Sequence, residues 1–167
     1  RLKPWKRLAE GSIYLFLRSE LPKAGLRKYS RGEAVAQRSG GRPLEGTGGV
    51  LLVSEASETI AQVSSELKSR NFRVSVVSAA VLAEALESER PEAVILDLDS
   101  RSGNPWKRFG QIRDRIRNSG IEAPTLMVLS GEHTRPEDAV RALREGAADF
   151  LKKPFSPTVL AVRLRSL

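Results

Sequence analysis

The sequence predicts an α/β fold: a doubly wound, five-stranded parallel sheet covered by helices on both faces. Three observations predict it. Short, continuously apolar runs recur from residue 50 onward, each is followed by apolar residues at helical spacing, and each run ends in a polar or charged residue. Strands that are apolar throughout are buried on both faces, which requires parallel pairing through helical crossovers. Right-handed crossovers leave the sheet open, with its functional crevice at the C-terminal strand ends.

Each element follows in order. Val50-Leu51-Leu52-Val53, stopped by Ser54-Glu55, is the first strand. Ile60, Val63 and Leu67 mark the helix after it. The run from Phe72 to Val77 is the second strand, and Ser78 suits the N-cap of a helix bearing Val81, Leu82, Ala85 and Leu86. Ala93-Val94-Ile95-Leu96, ending in Asp97, is the third strand. Trp106, Phe109, Ile112 and Ile116 form the inner stripe of the next helix, with Lys107, Arg108, Asp114, Arg115 and Arg117 on a solvated face. Pro124 opens a fourth strand that ends at Ser130. Thr134-Arg135-Pro136-Glu137 reads as a capping box, for a helix with Val140 and Leu143 inward and Gly146 closing it. Asp149 to Lys152 form the last strand, and Ser156-Pro157 starts a helix carrying Leu160, Leu164 and Leu167.

Charge divides the chain differently. Its 167 residues hold 28 Lys+Arg against 20 Asp+Glu, a net +8, yet 11 of the basic and 4 of the acidic residues fall in 1–49. The basicity therefore belongs to an arm. Residues 1–36 are expected to be that arm or the tail of an upstream segment, 37–49 a Gly-rich linker, and 50–167 the folded domain. The first residue is Arg, which suggests a fragment or processed chain. The absence of cysteine excludes disulfides, thiolate metal sites and a cysteine nucleophile, and it suits a cytoplasmic location. His133, the single histidine, excludes a histidine metal cluster and reads as an exposed loop residue. No apolar run approaches the ~20 residues that span a bilayer, so no membrane partner is expected. The arm's charge would attract nucleic acid in a salt-sensitive way, but no helix-turn-helix or aromatic platform accompanies it.

The strand ends carry the chemistry. Ser54 and Glu55, Asp97, Ser130 and Lys153 lie just past four of the strands and would converge in one crevice. Two carboxylates held close need a counter-charge, either Lys153 or a hard divalent cation with oxygen ligands.

These residues also resemble a family. VILDLD (94–99) and GAADFLKKPF (146–155), with VLLVSE (50–55) and LMVLSG (126–131), make the segment similar to the receiver domain of two-component response regulators. The resemblance implies the flavodoxin-like (βα)5 receiver fold. It makes Asp97 the phosphoacceptor, taking a phosphoryl group from a histidine kinase or phosphotransfer protein. Glu55 and Asp97, with the backbone carbonyl of Asp99, would hold Mg2+. Ser130 and Lys153 would bind the phosphoryl oxygens, Phe150 would be the switch aromatic, and the Lys153–Pro154 bond would be cis. The expected output is a homodimer or the release of an effector domain outside this chain. Such a domain is no enzyme beyond its own phosphotransfer and dephosphorylation. Departures stand beside these expectations. Ser54 replaces the first of the family's two acids, Glu55 is longer than the usual Asp, and Arg101 and Pro105 stand where the family has Pro and Gly. Ser54 favours an alternative: a degenerate receiver acting as a phosphorylation-independent interaction module. Nucleic-acid binding by the arm is the remaining alternative.

Overall fold

A computed structural model of the protein describes residues 48–99, 104–131 and 135–167. The expectations for the arm, most of the linker, Arg101, His133 and Thr134 lie outside the described residues. The elements are β1 (Gly49–Val53), α1 (Ser57–Ser69), β2 (Arg73–Val77), α2 (Leu82–Glu89), β3 (Ala93–Asp97), α3 (Pro105–Asn118), β4 (Thr125–Ser130), α4 (Pro136–Arg144), β5 (Asp149–Lys152) and α5 (Pro157–Arg165).

The five strands pair in parallel in the order β2-β1-β3-β4-β5. The order reverses between β1 and β3, which is where a crevice opens in this topology. Val53 is in register with Leu96, so Ser54 and Asp97 leave the sheet side by side.

Alternate residues of the central strands feed two separate cores. Leu51, Val53, Val94, Leu96, Leu126 and Val128 pack with Leu82 and Leu86 of α2 and with Phe109 and Ile112 of α3. Val50, Leu52, Ile95, Met127 and Leu129 pack on the other face with Val63 and Leu67 of α1 and with Leu160 and Leu164 of α5. Burying each large apolar side chain contributes roughly 1.5–3 kcal/mol, so the two sheet faces stabilise the helices more than local propensity does.

Three helix details differ from the sequence reading. Helix α2 starts at Leu82, with residues 79–81 in a turn, so Ser78 is not its N-cap. Val81 is 48% exposed, so the turn before the helix gains little from burial there. The inner face of α4 is Ala139 and Ala142, while Val140 and Leu143 are half-buried. Small side chains there let the helix sit close to the sheet. Its N-cap is Arg135, whose backbone N–H donates to Asp138 Oδ2 at 2.9 Å. Asp138 therefore supplies the returning carboxylate, not Glu137. Pro136 takes the first helical position and Gly146, at φ +112°, follows the helix end, as expected. Asn104, missed in the sequence, caps α3 by accepting from the N–H groups of Trp106 and Lys107 at 2.9 and 3.2 Å.

Candidate functional site

Asp97 ends β3 with 2% of its surface exposed. The ladder holds it there: the N–H of Leu98 donates to the carbonyl of Leu129 at 2.8 Å. A carboxylate buried so far needs donors and a counter-charge. Lys153, just beyond β5, supplies the charge. Its backbone N–H donates to the carbonyl of Ser130 at 2.8 Å, and its Nζ donates to Oδ1 and Oδ2 of Asp97 at 2.9 and 2.8 Å. Ser54 Oγ donates to Asp97 Oδ2 at 2.9 Å and accepts the N–H of Ala56 at 3.2 Å. The N–H of Asp99 donates to Asp97 Oδ1 at 3.0 Å. Each carboxylate oxygen thus accepts two hydrogen bonds.

The remaining predicted residues ring this centre. The Asp99 side chain is largely exposed, with Oδ2 3.8 Å from Lys153 Nζ. Gly131 lies against it: a Cβ there would stand 2.6 Å from Asp99 Oδ1. Only glycine allows that approach without displacement. Ser130 is 1% exposed, and its hydroxyl has no hydrogen-bond partner among the described residues. Phe150 pairs in register with Val128 and is half-buried against the core shared by α2 and α3. The Lys153–Pro154 peptide is cis, as the resemblance implies.

Glu55 faces a partner that the sequence reading placed elsewhere. Arg108 Nη2 lies 3.4 Å from Glu55 Oε1, and the arginine side chain is only 11% exposed. This corrects the reading of 107–117 as a solvated basic face: Lys107, Arg115 and Arg117 are exposed, but Arg108 turns in to the rim of the pocket. Helical spacing could not show it, because Arg108 precedes the buried Phe109 and lies off the apolar stripe. Another missed contact is Asp149, buried at the start of β5, with both oxygens 3.1 Å from Arg163 Nη1.

Among the described residues no three His, Asp or Glu side chains converge to hold a metal by themselves. The donors that the resemblance implies are nonetheless all oxygens, from Glu55, Asp97 and the backbone carbonyl of Asp99. Mg2+ keeps several waters and is commonly bound through one or two carboxylates, so this set fits it.

Comparison with known proteins gives the same frame. The sequence profile of the response regulator receiver domain matches residues 50–165. The chain is 30% identical over 121 residues to the response regulator protein GraR of Staphylococcus epidermidis, and equally to that of Staphylococcus aureus, covering 71% of this chain and 50% of each relative. It therefore spans about half the length of the curated relatives it matches. Its fold is similar to a response regulator from Thermotoga maritima (TM-score 0.61, 24% identity, covering 72% of this chain and 96% of that one). It is also similar to the BeF3-activated N-terminal receiver domain of Klebsiella pneumoniae RstA (TM-score 0.59, 23% identity, 71% and 96%). Receiver domains of this kind generally bind Mg2+ at their acidic pocket, and response regulators work with histidine kinases and form dimers. No helix among the described residues is long and apolar enough to cross a membrane. Because that profile matches residues 50–165, well over half of the chain, the chain belongs to the response regulator receiver domain family, the signalling domains of two-component systems.

Proposed function

We propose that Asp97 is the phosphoacceptor of a cytoplasmic phosphorelay receiver. The observation that carries this is the Asp97 carboxylate itself, 2% exposed, fixed by Lys153, Ser54 and the Asp99 N–H at the reversal point of the sheet. One carboxylate oxygen attacks the phosphorus of a partner's phosphohistidine. The N–P bond breaks, its electron pair returns to the imidazole, and an acyl phosphate forms on Asp97. Lys153 already bridges both oxygens, and its ammonium redirects a hydrogen bond to a phosphoryl oxygen as the charge moves outward. The unpaired Ser130 hydroxyl donates to another phosphoryl oxygen, which satisfies a buried donor. Mg2+, held by Glu55, Asp97 and the Asp99 carbonyl, would supply charge neutralisation for the transferring group.

The movement of Ser130 draws Phe150 inward and shifts the population of two packings on the face of α4 and β5. A second copy of the chain or an effector domain outside it then reads that face. The kinase or phosphotransfer protein is the donor, and the chain catalyses its own phosphotransfer and dephosphorylation and nothing more.

The test is incubation with acetyl phosphate and Mg2+ followed by intact-mass spectrometry. One phosphoryl addition is expected, absent in Asp97→Asn. No addition under any donor would favour a second reading, a phosphorylation-independent interaction module. The observation behind that reading is the Ser54 hydroxyl, which donates to Asp97 where the family carries an acid.

A further inference from the structure

We propose that Arg108 is a tethered cation of the acidic pocket, held against Glu55 so that it competes with a divalent ion for that carboxylate. Its guanidinium cannot escape burial by losing a proton, because arginine stays charged at any ordinary pH. Its side chain is 11% exposed, and its Nε and Nη2 are buried without a hydrogen bond among the described residues. A buried charge of this kind depends on a nearby counter-charge far more than a surface one does. Glu55, at 3.4 Å, provides it.

Charge counting gives the consequence. Among the described residues, Glu55, Asp97 and Asp99 bring three negative charges to the pocket, and Lys153 and Arg108 bring two positive ones. Ser54 adds none. The affinity of oxygen sites for divalent ions rises with uncompensated carboxylate charge. Here most of that charge is already met from within the chain. Arg108 thus keeps the unphosphorylated pocket at low Mg2+ occupancy, with a fixed positive charge standing where the ion would otherwise draw on Glu55.

The inference rests on the receiver reading for the place of the ion, but its readout does not involve phosphotransfer. MgCl2 is titrated by calorimetry into the unphosphorylated full chain, as wild type, Arg108→Met and Arg108→Lys. Methionine keeps much of the stem's packing and removes the charge. Arg108→Met should bind Mg2+ roughly tenfold tighter or more, the effect of removing a unit charge a few ångströms from a carboxylate. Arg108→Lys should stay near wild type, and the gain should vanish in Glu55→Gln/Arg108→Met. Arg108→Gln replaces the methionine variant if that chain fails to fold. Equal Mg2+ affinity in wild type and the folded neutral variant overturns the proposal, and so does a gain that survives Glu55→Gln. Acetyl phosphate labelling of the same samples separates the two readings: a Mg2+ gain without labelling leaves Arg108's role standing and removes the phosphoacceptor.

Discussion

Lys153 reaches back to Asp97, 56 residues earlier, and its ammonium bridges both carboxylate oxygens at 2.9 and 2.8 Å. Removing that charge leaves a buried carboxylate with only the Ser54 hydroxyl and the Asp99 N–H from the described contacts. Lys153→Met is therefore expected to lower stability by about 1–3 kcal/mol. Adding Asp97→Asn to the same chain should recover most of the loss. Urea unfolding of the single and double variants checks this, and a double variant as weak as the single one would make Lys153 a packing residue instead.

Ser54→Asp should act in opposite directions with and without metal. The new carboxylate would occupy the place of a hydroxyl that now donates to Asp97 at 2.9 Å, so two acids would repel across that gap. The melting temperature should fall in EDTA and rise with added Mg2+ by more than wild type does. Acetyl phosphate labelling of Asp97 should also quicken. A variant whose melting ignores Mg2+ would argue against an ion at this position.

Gly131→Ala is expected to be nearly neutral for the fold and disruptive for the pocket. Its Cβ would fall 2.6 Å from Asp99 Oδ1, at the far end of a largely exposed side chain that can swing away. The change in unfolding free energy should stay below about 1 kcal/mol. The Asp99–Lys153 contact, at 3.8 Å in the parent, should be lost, which a crystal structure of the variant would reveal.

The Gly-rich composition of 37–49 predicts where the chain is cut. Limited digestion with a protease of broad specificity should yield a stable product beginning near residues 46–50 and retaining the remainder. Its circular dichroism and melting should match those of the receiver domain within the full chain. Survival of the intact 167-residue chain under the same digestion would contradict a separate arm.

The fold was legible because its central strands β1, β3 and β4 are apolar on both faces and their ends are polar. Asp97 and Ser54 could be named from that pattern, since each follows an apolar run directly, and Lys153 from its place just past the last strand. What the pattern could not carry was partnership across the sheet. The ion pair of Asp149 with Arg163 Nη1 and the approach of Arg108 to Glu55 join residues whose local sequence gives no sign of the other. The α4 face was misassigned for a related reason. Hydrophobic scale favours Val140 and Leu143, whereas close packing favoured the smaller Ala139 and Ala142.

The double-sided apolar sheet has one more consequence. Val50, Leu51, Leu52 and Val53 are all buried, so sliding β1 or β3 by one residue exchanges one apolar side chain for another on each face. Hydrophobicity alone barely separates the correct alignment from its neighbours. Asp97 does separate them: a slip would carry its carboxylate between the two cores or strip it of Lys153, at a cost of several kcal/mol. Asp97 is therefore expected to act as an alignment mark during assembly as well. Asp97→Leu, which keeps the apolar content and erases the mark, should fold to a mixture of registers, visible as doubled amide resonances from β1, β3 and β4.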